Sequence, residues 1–313
     1  MKVVFMGTPE FAVAILDRLI QNKIDVVGVI TAPDKPAGRG LQMNESAVKQ
    51  YAVKENLNIL QPTNLKDELF ISELKNLNAD LFVVVAFRML PEVVWVMPPK
   101  GTINLHGSIL PNYRGAAPIN WAIINGEKQT GVTTFFIEKE IDTGKVIERN
   151  VIDIDENETV GELHDRLMEL GAETTLSTVI KISKGDVEGI SQLELTEGEL
   201  KNAPKIFKGD CEVDFSQSVE KVHNFIRGLS PYPAAWCSLV NEQGETKNYK
   251  LFSCIKTIEN SNGSKALKVS KEGILFPCGD NYLLITDLQP EGKRRMDYKA
   301  FLAGNSVEGW FVK

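Results

Sequence analysis

The residues best placed to do chemistry are an amide, an imidazole and a carboxylate. Asn104 and His106 stand in the run Gly101-Thr-Ile-Asn-Leu-His-Gly-Ser-Ile-Leu-Pro111, and Asp142 stands in Glu140-Ile-Asp-Thr-Gly144. Side chains of a strand alternate between faces, so Thr102-Ile-Asn-Leu-His turns Ile103 and Leu105 to one side and Asn104 and His106 to the other. A hydrogen-bond donor then sits beside a base. The Gly-Ser-Ile-Leu-Pro run ends the strand, and open parallel sheets bind their ligands at the carboxyl ends of strands. A lone Asn or His at such a place ordinarily caps a turn. The shared face, in a chain with only three histidines, favours a site instead. Asp142 by itself is ordinary hairpin chemistry, an Asp-Thr-Gly turn between the strand-like runs Gly131-Val-Thr-Thr-Phe-Phe-Ile and Lys145-Val-Ile.

These side chains need a scaffold, and the first two hundred or so residues read as alternating strands and helices. Strands are expected at 3–6, 25–31, 81–87, 102–106 and 132–137, and helices at 10–21, 46–55 and 119–125. That alternation means an α/β fold, a mostly parallel doubly wound sheet with helices on both faces. Gly7-Thr-Pro-Glu follows the first strand where a dinucleotide fingerprint would begin, but G-x-G-x-x-G is absent, which argues against a nicotinamide dehydrogenase. An acidic turn at 154–159 leads into a long helix to about Ser183 that closes this domain. The polar stretch after it reads as a linker. The expected division is residues 1–184, a linker at 185–205, and a second domain at 206–313. The last part shows a helix at 218–228 and five short β-rich runs at 235–239, 250–256, 265–269, 273–276 and 282–288. Such a pattern suggests a small Greek-key barrel of the oligonucleotide-binding type.

Asn104-x-His106-Gly-Ser-x-Leu-Pro111, Tyr113-Arg-Gly-Ala-Ala-Pro118 and Asp142-Thr-Gly144 together resemble the formyltransferases that use 10-formyltetrahydrofolate. Phe5-Met-Gly-Thr-Pro-Glu-Phe-Ala12 and Thr31-Ala-Pro-Asp-Lys-Pro-Ala-Gly-Arg-Gly40 narrow the resemblance to the methionyl-tRNA branch, over nearly the whole length. The resemblance implies the following roles. Asn104, His106 and Asp142 are catalytic. Ser108, Ile109, Leu110 and Pro111 line the folate site, with Phe87 to Leu90 as part of the pterin wall. That wall departs from the family pattern, because Ala86-Phe-Arg replaces the Ala-Tyr-Gly of many relatives. The folate is a formyl-donor co-substrate, the partner is initiator methionyl-tRNA, the C-terminal domain is an oligonucleotide-binding-like barrel that binds the tRNA, and no metal is required. In the family the loop at 32–44 enters the acceptor stem, and Arg39 matches the arginine that matters there, with Lys35 nearby. Leu41-Gln-Met43 stands where bacterial relatives often carry lysines, so this loop is expected to make fewer salt-sensitive contacts.

Composition fits this reading. The chain has 313 residues, 43% of them hydrophobic and 25% charged, which favours two globular domains. No segment approaches a run of about eighteen apolar residues, and the amino terminus enters a strand directly, so neither a membrane span nor a signal peptide is expected. Four cysteines without metal-ligand spacing suit free thiols in a reducing cytoplasm. A net charge of −7 looks wrong for an RNA-binding protein. It is unevenly spread: residues 201–313 carry 16 Lys and Arg against 13 Asp and Glu, a net +3, which leaves −10 on residues 1–200. Lys293, Arg294 and Arg295 form a basic cluster in the tail that is a candidate phosphate contact. Two other functions stand as alternatives: a formyltransferase acting on an amino sugar nucleotide, a branch with the same Asn-x-His, and a non-catalytic RNA-binding protein built on the fold, against which the intact Asn104, His106 and Asp142 argue. No heptads are present, so monomer is the default expectation.

Overall fold

A computed structural model describes residues 1–37, 42–185 and 187–313 of the chain. Two compact units emerge, and neither is continuous in sequence. The first comprises Met1–Gly115, Gly131–Ile152 and Asp165–Asn202; the second comprises Ala116–Thr130, Asp153–His164 and Ala203–Lys313. The polar residues expected to form a linker thus run, as far as Asn202, inside the first unit.

The first unit is built on a seven-stranded sheet in the spatial order Val146–Asp153, Gln129–Phe136, Thr102–His106, Leu81–Val85, Lys2–Gly7, Asp25–Ile30, Ile59–Leu60. The strands from Thr102–His106 to Ile59–Leu60 pair in parallel, and Gln129–Phe136 joins antiparallel. Leu81–Val85 is buried at every residue, as the unbroken Leu-Phe-Val-Val-Val run of a sheet covered on both faces requires. Glu10–Gln21 covers part of one face with Phe11, Ala12, Ile15, Leu16 and Leu19, a helical stripe. Gly7 stands at the turn into this helix for lack of space: a β-carbon there would lie 2.6 Å from that of Ala12. Val160–Lys184 is the long helix expected from sequence. Its Gly171 lies against the strand Thr102–His106, since a β-carbon at that position would lie 2.8 Å from Leu105. The stretch at 32–44, expected as an open loop, contains a short antiparallel pair, Lys35–Ala37 with Gln42–Asn44. Its start is anchored by Asp34, whose carboxylate is bound by Lys49 and Gln61 and is held below its usual range first by the Lys49 hydrogen bond.

In the second unit the strands follow the order Lys268–Val269, Ile274–Pro277, Asn281–Pro290, Thr246–Asn260, Ala235–Asn241, Trp310–Val312. The sheet curls, and its ends are joined where Leu267 N–H donates to Trp310 O and Val312 N–H to Lys265 O. Trp310–Val312 closes the arrangement and is a strand that residue patterning did not mark. Inside lie Leu251, Phe276, Leu283, Ile285 and Leu288, with the inner face of the helix Val219–Leu229. Cys211, Cys237, Cys254 and Cys278 are buried free thiols, each pushed up in pKa mainly by burial. Among the described residues no group of three or more His, Cys, Asp or Glu is placed to hold a metal, and no helix is long and apolar enough to cross a membrane.

His223 on that helix is 1% exposed, and its Nε2 pairs with Asn157 Oδ1 at 3.1 Å. Burial, then the positive charges of Arg227 and Lys256, push its pKa down to about 4, against a smaller opposing pull from Glu220 and Glu156. The unfolded chain therefore binds the proton first as pH falls. Stability from the neutral imidazole is present above the unfolded value of about 6.5 and is lost progressively between there and about 4, up to about 3 kcal/mol. His223→Gln is expected to flatten this loss. Thermal melts at pH 7 and pH 4.5 check it, and equal acid sensitivity in both proteins would contradict it.

Candidate active site

The strand Thr102–His106 lies between Leu81–Val85 and Gln129–Phe136, so it is held from both edges. Asn104 pairs in register with Val84 and Phe135, and His106 with Thr133. The alternation expected from sequence holds: Ile103 and Leu105 enter the core, and Asn104 and His106 share the other face. Asn104 is half-buried, and its Oδ1 is fully enclosed without a hydrogen-bond partner. An orphaned buried acceptor costs about 1–3 kcal/mol.

His106 is 7% exposed, and its orientation is set by the backbone. Nε2 lies 2.8 Å from the carbonyl oxygen of Tyr113. A carbonyl only accepts, so Nε2 holds the proton and Nδ1 presents its lone pair. Nδ1 in turn lies 3.8 Å from Oδ2 of Asp142. That separation is too long for a direct hydrogen bond, and the two form an ion pair only when the imidazole carries a second proton. The imidazole is therefore oriented by Tyr113 O.

Asp142 itself is fixed from several sides. Gly115 N–H donates to its Oδ2 at 3.0 Å. Its backbone is left-handed, with φ +56°, which non-glycine residues adopt only where neighbours enforce it. Thr143 Oγ1 donates to Glu140 O at 3.1 Å and closes the turn. At Gly144 a β-carbon would fall 1.7 Å from Phe136 O, so no side chain fits. Asp, Thr and Gly each have a separate reason to stand in this motif.

The loop after the strand is equally tied down. Thr133 Oγ1 donates to Ser108 O at 2.7 Å and accepts Leu110 N–H at 3.1 Å. Ser108 Oγ donates to Asn112 O, and Arg149 Nη1 donates to Leu110 O. Ser108, Leu110 and Pro111 are buried, with Leu110 packed on Phe135 and Val146. Ile109 is the member of the four with side-chain surface left over. In the expected pterin wall, Phe87 packs on the core, and Arg88 is anchored to the carbonyls of Pro62 and Thr63 and stacks on Phe87. Met89 there is 73% exposed.

Two family models match this chain: "Formyl transferase" over residues 1–180 and "Formyl transferase, C-terminal domain" over residues 205–306. The methionyl-tRNA formyltransferase of Flavobacterium johnsoniae is 52% identical over 97% of this chain and 96% of its own length. That of Bacteroides thetaiotaomicron is 49% identical over 97% and 95%. The chain belongs to the methionyl-tRNA formyltransferase family.

Solved structures carry the same fold at much lower identity. An N-formyltransferase from Helicobacter canadensis, solved in complex with folinic acid and dTDP-3-aminofucose, aligns with a TM-score of 0.67 at 19% identity, over 95% of this chain and all of that one. HypX from Aquifex aeolicus, in complex with tetrahydrofolic acid, aligns with a TM-score of 0.65 at 17% identity, over 99% of this chain and 48% of that one. At such identities the match is one of fold.

The expected RNA contacts fare differently from one another. Lys35 is exposed, and Arg39 lies outside the described residues. Lys293, Arg294 and Arg295 are all exposed, but Arg295 is committed: it pairs twice with Asp287 Oδ2 and lies 4.3 Å from the Phe252 ring centre. Lys293 and Arg294 are therefore the members of that cluster without such a commitment. Sequence reasoning missed Thr133 and Gln192, and it treated Tyr113 and Gly115 only as part of a motif. Backbone groups leave no residue-type signal, and Gln192 sits in a polar stretch indistinguishable from a linker.

Proposed function

We propose that the chain transfers the formyl group of 10-formyltetrahydrofolate to the α-amine of initiator methionyl-tRNA, with Asn104, His106 and Asp142 as its catalytic residues. Identity near 50% across full-length methionyl-tRNA formyltransferases supports the acceptor. The observation that carries the chemistry is the placing of an amide at Asn104, its Oδ1 without a partner, on one strand face with an imidazole whose Nδ1 lies 3.8 Å from a carboxylate. In this reaction the amine nitrogen bonds to the formyl carbon, the bond from that carbon to the folate nitrogen breaks, and one proton moves from amine to folate nitrogen. The folate donor supplies the one-carbon unit and a nitrogen leaving group.

Each residue has a task in that sequence. The Asn104 amide N–H donates to the oxyanion that develops on the formyl oxygen. His106 Nδ1 takes the amine proton and returns it to the departing nitrogen. Asp142, at 3.8 Å, stabilises the imidazolium while it exists. Ile109 and the backbone of 108–111 form the wall against the folate, joined by Phe87 to Leu90. The residues thus fit a folate donor, and no metal is given a role.

The basic surface divides between loop and tail. Lys35 and Arg39 contact the acceptor stem, and residues 206–313, through Lys293 and Arg294 with support from Arg295, contact tRNA phosphates. The enzyme works as a cytoplasmic monomer without a membrane. The deciding experiment offers labelled formyl donor, methionyl-tRNA and amino sugar nucleotides in parallel. Label is expected on the tRNA alone, and Arg39→Ala is expected to lower transfer to it by about tenfold or more, the size of one lost charged contact at about 1.5–3 kcal/mol. Label on a sugar nucleotide, indifferent to Arg39→Ala, would move the protein to the other branch.

A further inference from the structure

Gln192 lies in the polar stretch between the two regions matched by the family models, yet it is only 3% exposed. Its amide is engaged at both ends. Oε1 accepts from Nε and Nη2 of Arg114 at 3.0 and 2.6 Å. Nε2 donates to the backbone oxygens of Asp142 and Gly144 at 2.8 and 2.9 Å. A buried amide with both donors and its acceptor used is a rigid connector, because breaking any bond leaves an enclosed polar group unpaired.

What it connects is informative. Arg114 is flanked by the two residues that organise the site: Tyr113, whose carbonyl oxygen orients His106, and Gly115, whose N–H binds the Asp142 carboxylate. At the other end are the first and last residues of Asp142-Thr-Gly144, where Asp142 is held at φ +56°. One side chain therefore ties the turn that carries the carboxylate to the segment that orients both partners.

We propose that Gln192 is a positioning residue for formyl transfer: it fixes the Asp142 turn against Tyr113-Arg-Gly115 and so sets the gap between His106 Nδ1 and Asp142 Oδ2. This rests on the reading of Asn104, His106 and Asp142 as the formyl-transfer site. Without the two donated bonds the carbonyls of Asp142 and Gly144 lose their partner, and the left-handed turn is free to relax. A shift of about an ångström in a catalytic group costs on the order of 10²-fold in rate.

The test uses the full chain, methionyl-tRNA and 10-formyltetrahydrofolate, with Gln192→Met, which keeps the volume but neither donor nor acceptor, and Gln192→Glu, which keeps an acceptor for Arg114 but no donor. Both are expected to lower kcat on the order of 10²-fold with KM for the tRNA little changed. In an Asp142→Asn background, Gln192→Met is expected to add little further loss, because both changes act on the same carboxylate. A packing role alone would instead lower the melting temperature and add its loss in full. Wild-type kcat in Gln192→Met, or an undiminished further loss on top of Asp142→Asn, overturns the proposal. If Gln192→Met does not fold, hydrogen exchange in Gln192→Glu carries the test. Faster exchange at 142–144 with no change in Lys2–Gly7 supports it, and unchanged exchange at 142–144 overturns it. Asp142→Asn alone separates the two readings: full turnover there removes the site assignment itself, whereas loss there with an active Gln192→Met removes only the role of Gln192.

Discussion

His106→Ala is expected to lower kcat for formyl transfer by about 10²–10⁴, the range for a positioned acid or base, while leaving affinity for methionyl-tRNA nearly unchanged. The expectation follows from the proton placement. Nε2–H donates to Tyr113 O, so Nδ1 is the only ring nitrogen left to exchange a proton with substrate, and Asp142 stands where the resulting charge would appear. Alanine removes that atom but leaves the strand register intact, because Leu105 still packs in the core beside it. Asn104→Ala should behave similarly at about 10²–10³, since its loss removes a donor to charge present only in the transition state. Single-turnover transfer with saturating donor, alongside tRNA binding by filter retention, measures both effects. Near-wild-type turnover in His106→Ala would mean that the reacting proton travels elsewhere.

Gly144→Ala is expected to damage both the fold and the rate, because the added methyl group meets backbone beside the site. Its β-carbon would sit 1.7 Å from Phe136 O and 2.9 Å from the carbonyl carbon, and neither atom belongs to a flexible side chain. Relief requires moving the backbone at Phe136, whose N–H donates to Lys145 O and closes the loop. Overpacking of this kind costs about 1–3 kcal/mol, and displacement of the adjacent Asp142 adds a rate loss on the order of 10². A melt and a kcat measurement on the same preparation read the two effects separately. Thr143→Ala is the control, since it removes one turn hydrogen bond worth about 1 kcal/mol. Gly144→Ala with wild-type stability and rate would show that the turn yields easily and that its glycine is incidental.

Much of the site was legible because strand periodicity is a strong local signal. Asn104 and His106 share a face as expected, and the helix Glu10–Gln21 and the strand Thr102–His106 begin and end where patterning puts them. Other features were not legible for definite reasons. The strand Trp310–Val312 is three residues long, too short to show a period, and it exists because two edges of the curled sheet need partners. The pair Lys35–Ala37 and Gln42–Asn44 forms in a proline- and glycine-rich stretch where propensity favours a loop. Arg295 reads as a phosphate contact in sequence, whereas its pairing with Asp287 and Phe252 depends on neighbours brought together by folding.

The amino-acid sequence by itself determined the class of fold, the family and the candidate trio of side chains, because alternation, turn chemistry and motif spacing are properties of neighbouring residues. Only the tertiary structure decided which nitrogen of His106 is free and what holds Asp142. Those answers depend on the Tyr113 carbonyl, the Gly115 amide and the buried Gln192 side chain meeting across gaps of 7, 27 and 50 residues. A backbone group has the same chemistry at every position, and a glutamine in a polar stretch is unremarkable until the chain folds around it. Partners of that kind are selected by geometry alone.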